Sequence, residues 1–316
     1  MTSRATIGYA VINDLPMATN QGFLNFTCSD DLDPEFLCHW LNSNRNLLTA
    51  AAGGSTFKEL SRGTAKLLPI LLPPLDEQQR IAEVLRSADE VLSLSDQKAR
   101  QAEAALFAYS AKAFAQAVPE EGAGSALEDV LSHIIDYRGV PPPKAPAGVP
   151  LLTAKNVRAG YLDPEPREFI AEEDYDSWMR RGLPTAGDVM FTTEAPLGNV
   201  AAFPSYRAAL GQRSLTLRRK PDRHAADYLR WLLLSPNGQA LIQSHATGST
   251  AKGIKQSTFR KLRFNVPTLD EQAKVGAACE AIWGVVIGAR DQISTMRRLR
   301  AMLSDDLLSG RVRVPA

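Results

Sequence analysis

Apolar side chains recur at alternating spacings of four and three along two long, proline-free stretches. The first runs Ile81, Leu85, Ala88, Leu92, Ser95, Ala99, Ala102, Leu106, Tyr109, Ala113. The second runs Val275, Cys279, Ile282, Val286, Ala289, Ile293, Met296, Arg300, Leu303, Leu307, each 194 residues after its partner in the first. A stripe of period 3.5 held for more than four heptads predicts a long helix with a coiled-coil seam, here written twice. Each run of 33 residues would extend about 50 Å at 1.5 Å per residue. Small residues fall mid-seam in both, at Ser95 and Ala289. A lone helix cannot bury its own stripe, so the two are expected to pack on each other. The other arrangement has each packing on its neighbouring globular domain.

The helix starts are also legible. Pro73-Pro74 and Pro267 end extended segments, since proline continues neither a ladder nor a helix interior. LDEQ follows each time, at 75–78 and at 269–272, and its acidic pair suits the positive end of the helix dipole.

The repetition reaches further upstream. TSRATIGYAV (Thr2 to Val11) corresponds to TTEAPLGNVA (Thr192 to Ala201), NQGF (from Asn20) to GQRS (from Gly211), and EFLCHWLNS (from Glu35) to DYLRWLLLS (from Asp227). GGSTFKEL (from Gly53) corresponds to TGSTAKGI (from Thr247), and LPILLPPL (from Leu68) to RFNVPTL (from Arg263). Five matches in one order make the chain a tandem duplication of a mixed α/β domain followed by a long helix.

Residues 126–266 form the second domain. Its strand-like runs are Val149 to Val157, Gly187 to Thr193, Asn199 to Pro204 and Ser214 to Lys220, separated by turns. The proline-rich segment Arg138 to Gly148 is loop, and residues 119–125 are a linker by composition. The long helices then occupy 75–118 and 267–316. Residues 1–74 make a shorter first domain: Met1 aligns with Phe191, so about 65 residues of the second copy have no counterpart before it. The expected fold class is α+β, a tandem repeat of globular domain and long helix whose two helices form an antiparallel coiled coil.

Composition adds bounds. The chain has 316 residues, 44% hydrophobic and 22% charged, with a net charge of +1, ordinary values for globular domains. No apolar run reaches membrane-span length and no basic-then-apolar segment opens the chain. Cys28, Cys38 and Cys279 are scattered without metal-type spacing, which suits a reducing cytoplasm. Charge is uneven, however. Twelve Lys and Arg lie between Arg207 and Arg263, against only Asp222 and Asp227. Such a stretch attracts a polyanion if its side chains share a face, and is otherwise a solvated surface.

Chemistry is harder to find. GSTAKGIK (Gly248 to Lys255) misses the phosphate-loop pattern because Ile254 separates the glycine from the lysine. His39, His133, His224 and His245 lie far apart, without metal-ligand spacing. Nothing marks a catalytic triad, so no catalytic, cofactor-binding or metal-binding residue is assigned.

The ordered series TSRATIG or TTEAPLG, NQGF or GQRS, GST-x-K, and P-x-LDEQ opening a long helix, all twice, resembles the DNA-specificity subunit of type I restriction-modification enzymes. The resemblance covers essentially the whole chain. It implies two target-recognition domains, each reading half of a split sequence in double-stranded DNA. It implies helices that space them and dock two methyltransferase subunits. S-adenosylmethionine and ATP are expected on the methyltransferase and restriction subunits, and the specificity subunit itself does no chemistry.

On that footing the residues expected at DNA lie in four loops of the second domain. They are Lys155, Asn156 and Arg158; Thr192, Thr193 and Glu194; Gln212 and Arg213; and Ser249, Thr250, Lys252 and Lys255. Corresponding residues of the first copy are Arg4, Gln21, Ser55 and Lys58. Such side chains contact phosphates or base edges, although each loop alone is also readable as ordinary solvated surface, and Gly198 and Gly248 as plain turns. Shared polar residues can hold a fold instead of reading a base. Positions that differ between copies, Arg4 against Glu194 and Gly22 against Arg213, are the better candidates for base reading.

The short first domain departs from the family pattern. It is expected to leave a sheet edge unpaired and core exposed, and to need another polypeptide for completion. The chain alone would then read one half-site. The alternative function is a coiled-coil protein-interaction adaptor, or a silent specificity cassette without independent DNA binding.

Overall fold

The computed structural model describes residues 1–316 except 55–57, 121, 138, 140, 226, 250, 315 and 316. In chain order the elements are α1 (Pro34–Ser43), α2 (Arg45–Ala51), α3 (Arg62–Ala65) and α4 (Leu75–Ala113). Then come β1 (Ser125–Ala126), α5 (Leu127–Val130), β2 (Leu131–Asp136), β3 (Val149–Leu152), β4 (Phe169–Ile170) and α6 (Tyr175–Trp178). They are followed by β5 (Val189–Thr192), β6 (Val200–Ala202), β7 (Ala209–Leu210), β8 (Ser214–Arg219), α7 (Tyr228–Leu234) and α8 (Pro236–Ser244). The chain closes with α9 (Gln256–Phe259), β9 (Arg263–Phe264) and α10 (Leu269–Leu308). Two compact units result: Met1–Arg100 with Ile287–Ala316, and Gln101–Val286. Each contains one globular region and one stretch of each long helix.

The long helices are 39 and 40 residues, longer than the seam alone required, because each begins at its LDEQ. In the first unit they pack antiparallel. Arg300 forks onto Asp89 (2.8 and 2.9 Å), Arg297 reaches Asp96 at 3.3 Å, and the Ser95 hydroxyl meets the Met296 sulfur at 3.6 Å. The basic residues late in α10 thus face acids of α4. Of the twenty seam positions read from the sequence, all but Ala113 are buried or half-buried. In the second unit Leu106 and Cys279 enter the core together, with Tyr109, Val275 and Ile282 packed against it. The Cys279 thiol is free and fully buried, and burial pushes its pKa up to about 11.

The second unit holds a four-stranded antiparallel sheet in the order β2-β8-β5-β6, a three-stranded sheet β4-β3-β7, and the small pair β1-β9. Alternation along β5 separates two cores. Val189 and Phe191 face α7, α8 and α9 through Leu229, Leu232, Ile242 and Phe259. Met190 faces Leu151, Ile170 and Leu210. Two details depart from the sequence reading. The run from Val149 leaves the strand at Leu152, because the Asn156 carboxamide accepts from the Thr153 amide (3.0 Å) and hydroxyl (3.2 Å) and turns the chain. Strand β2, an outer strand of its sheet, was not expected. Its exposed Ser132 and His133 break the run of apolar positions that marked the other strands. Of the proline-rich loop, residues 138 and 140 lie outside the described part.

In the first unit, Phe36, Trp40, Leu48 and Leu60 pack with Ile81, Leu85, Leu307 and Leu308. Among the described residues, the segment corresponding to β8 pairs through the isolated bridge of Phe23 with Thr2, and that corresponding to β6 forms no bridge. Val11 is 83% and Phe26 42% exposed, where the corresponding Ala201 and Leu217 are fully buried.

Candidate nucleic-acid interface

The glutamine of LDEQ shows why that opening is written twice. Gln272 Oε1 accepts from the Ala225 amide (3.2 Å), while its Nε2 donates to the Arg223 and Pro267 carbonyls (both 2.9 Å). In the first unit Gln78 accepts from the Asp33 amide and donates to the Asp31 and Pro73 carbonyls, all at 2.9 Å. Both side chains are buried. Each pins the entry of a short helix, α7 or α1, to the start of a long one.

The same duplication extends to the loops. In the second unit the Thr192 amide donates to the Asn199 carbonyl and Gly198 back to Thr192 (both 2.9 Å). The Thr193 amide donates to the Arg213 carbonyl (3.0 Å), and Ile254 to the Thr193 carbonyl (2.9 Å). Thr247 and Gly253 exchange amide bonds at 2.8 and 2.9 Å. The first unit repeats this set at the corresponding residues: Thr2 with Tyr9 and Gly8, Ser3 with Gly22, Leu60 with Ser3, and Gly53 with Glu59. Gly8 and Gly198 share a φ near 90°, a left-handed conformation that favours glycine. Loops some 20 and 60 residues apart in sequence are therefore laced into one edge, twice.

In the second unit the fourth loop joins that edge. Gly211 donates to the Leu152 carbonyl (2.7 Å), and Asn199 Nδ2 to the Val157 carbonyl (2.8 Å). The candidate residues divide once they are in place. Asn156, Thr192 and Thr193 are buried. Asn156 Nδ2 donates to the Asp163 and Pro166 carbonyls (both 3.1 Å), and the Thr193 hydroxyl donates to the Arg213 carbonyl (3.2 Å). The Thr192 hydroxyl accepts from the Asn199 amide at 2.9 Å. These three hold the loops in shape. Arg158 is half-exposed and forks onto Asp163 (3.2 and 3.1 Å), whose carboxyl lies below its usual range through the Glu165 amide first and Arg158 after it.

Outward at the edge are Lys155, Glu194, Arg213, Ser249, Lys252 and Lys255, with Gln212 half-exposed. Lys155 reaches Glu168 at 3.8 Å and Arg213 reaches Glu194 at 3.3 Å. In the first unit Arg4, Gln21 and Lys58 are exposed at the corresponding edge. Ser55 and Thr250 lie outside the described residues.

The basic stretch from Arg207 to Arg263 proves to be largely partnered, by acids or by backbone carbonyls. Arg207 pairs with Glu172, Arg218 with Asp188, Arg223 with Asp222 and Arg260 with Glu128. Arg219, Lys220 and Arg263 lie on backbone carbonyls. Arg230 is buried against Glu280 and the Trp231 ring. Among the described residues, Lys252, Lys255 and Lys261 of this stretch make no ion pair; Lys252 lies within the Thr247–Gly253 loop and Lys255 just after it. Sequence reading missed Asn199 and Gln239, whose carboxamide donates to Gly198 and Leu233 and braces the edge. Their counterparts in the first copy differ, so the repeat gave no signal. Among the described residues no group of His, Cys, Asp or Glu could hold a metal, and no helix is long and apolar enough to cross a membrane.

The chain is similar in fold to the crystal structure of a type I restriction-modification S subunit from M. genitalium. The superposition covers 97% of this chain and 81% of that one, with a TM-score of 0.63 and 16% identity. The MjaIX specificity subunit of Methanocaldococcus jannaschii is 40% identical over 94 residues, 29% of this chain and 22% of that protein. The EcoKI specificity subunit of Escherichia coli is 24% identical over 287 residues, 82% of this chain and 60% of that protein. The chain thus spans less than two thirds of the length of either curated relative. The sequence model of the type I restriction modification DNA specificity domain matches twice, at residues 1–104 and 181–280. Those matches take in both LDEQ openings and both laced edges apart from the loop at 152–158, and the chain belongs to that family.

Proposed function

We propose that the chain is the DNA-reading specificity subunit of a type I restriction-modification complex and performs no catalysis itself. Each laced edge faces a duplex, and the paired helices space the two edges and seat two methyltransferase subunits, to which restriction subunits join. S-adenosylmethionine and ATP belong to those partners. The observation that carries the reading is the repetition of one set of backbone hydrogen bonds in two loop edges whose outward side chains are charged or polar while the inward ones are spent on the fold. Positioning contacts come from cations such as Lys252, Lys255 and Lys58, and sequence is read by the side chains that differ between copies.

The test is duplex binding by the full chain, alone and with a methyltransferase subunit, across a salt series. Binding that weakens steeply with salt and favours a split sequence supports the reading, because displaced counterions set the slope. Salt-insensitive or absent binding in both preparations would favour a protein-interaction adaptor.

A further inference from the structure

Within the second edge, Glu194 and Arg213 stand apart from every other candidate. Asn156, Thr192 and Thr193 are consumed by the fold, and Lys252 and Lys255 are point charges suited to phosphates. Glu194 and Arg213 are both exposed, and they touch through Arg213 Nε and Glu194 Oε1 at 3.3 Å. Both lie on backbone that the lacing holds: Thr193 donates to the Arg213 carbonyl, and Glu194 bridges Gly253. Arg213 also adopts φ 64°, a left-handed conformation that L side chains rarely adopt. The corresponding residue of the first copy is Gly22. Gly22 does not adopt that conformation, so position 213 holds a left-handed backbone that the first copy does without, which points to work done by the arginine side chain.

The first unit supplies the contrast. Its edge has the same hydrogen bonds, and position 4 again neighbours position 22: Arg4 Nε lies 3.5 Å from where a Cβ on Gly22 would sit. The two positions are therefore adjacent in both units, and their side chains change together, from Arg with Gly to Glu with Arg. Framework residues around them keep their bonds. Two adjacent positions whose residues differ between edges laced by the same backbone hydrogen bonds are suited to readers of different bases.

Resting on the DNA-reading function proposed above, we infer that Glu194 and Arg213 form one readout couple and that it selects a G·C base pair. Arg213 donates to guanine O6 and N7, the commonest arginine contact in the major groove. Glu194 is a positioning residue: it holds Arg213 through Nε and leaves the terminal nitrogens to face the base. Arg4, without a carboxylate beside it at position 22, gives the first edge a different preference.

The experiment is selection from a randomised duplex pool by the full chain, with and without a methyltransferase subunit, followed by sequencing. The wild-type chain is expected to enrich a half-site containing a G·C pair that Arg213→Ala leaves degenerate, with about a ten- to hundredfold loss of preference at that pair only. Arg213→Lys should lose the same preference while keeping the charge, and Glu194→Gln should weaken it without shifting the other positions. Arg213→Gly relieves the backbone and guards against misfolding as the explanation. A motif unchanged in Arg213→Ala, or weakened equally at every position, would overturn the couple while leaving DNA reading intact. No enrichment by the wild-type chain in either preparation would overturn DNA reading itself, and the couple with it.

Discussion

Gln272 and Gln78 are small features with large consequences for stability. Each satisfies one backbone amide and two carbonyls in a buried position. Truncation to alanine strands those groups, and stranded buried polar groups cost about 1–3 kcal/mol each before water relieves some of them. Gln272→Ala and Gln78→Ala should therefore each lower stability by about 3 kcal/mol, read as a shift in urea midpoint, whereas neighbouring Gln79→Ala should stay within about 0.5 kcal/mol. His224 offers a second test. Its ring is buried, stacks on Tyr228 and lies beside the Gln272 carboxamide. Burial pulls its pKa from the ordinary 6.5 to about 4. Between those values the unfolded chain binds a proton that the folded one refuses, so stability is full above pH 6.5 and declines as pH falls toward 4. The decline amounts to about 3 kcal/mol in all. Urea midpoints at pH 7.5 and pH 5 should separate accordingly, and His224→Phe should remove that part of the separation. An unchanged separation in the variant would refute the assignment.

At the scale of elements, period carried most of the information. The 3.5-residue stripe located both long helices, and nearly all of its positions are buried or half-buried, because a seam facing one partner must repeat at that interval. The prolines and LDEQ located their starts. What the stripe could not show was the part of each loop residue. Thr192 looks like a phosphate contact in sequence, yet its hydroxyl is taken by the Asn199 amide. Hydroxyls serve either end equally, and only the return of the chain decides. Asn156 misled for the same reason: a carboxamide that reads adenine is also the best closer of a tight turn. The seam itself makes a direct prediction. Leu85 is fully buried in the first unit, while Leu94 on the same helix is 58% exposed. Leu85→Ala should cost about 2–5 kcal/mol and Leu94→Ala less than about 0.5 kcal/mol, both measured by chemical denaturation.

For the whole molecule, the duplication was legible because five short matches kept their order, and it told more about function than any single residue did. The basic stretch told less, since most of its cations are answered by acids or carbonyls that lie up to 140 residues away in sequence, as Arg263 and Ala123 do. Charge counted along a chain ignores partners that folding brings in. The cations left over make the corresponding prediction. Lys252→Ala and Lys255→Ala should each weaken duplex binding about evenly across sequences and reduce the salt slope by about one counterion, without altering the enriched motif. A changed motif in either variant would move that lysine from the backbone to the bases.

The lacing of the loops through amides and carbonyls has an evolutionary consequence. Since main-chain atoms close the edge, the identities of its outermost residues are released from the task of folding. A new target can then be acquired by exchanging a few side chains, one copy at a time, while the other copy preserves its own. Such a protein can change its vocabulary without relearning its grammar.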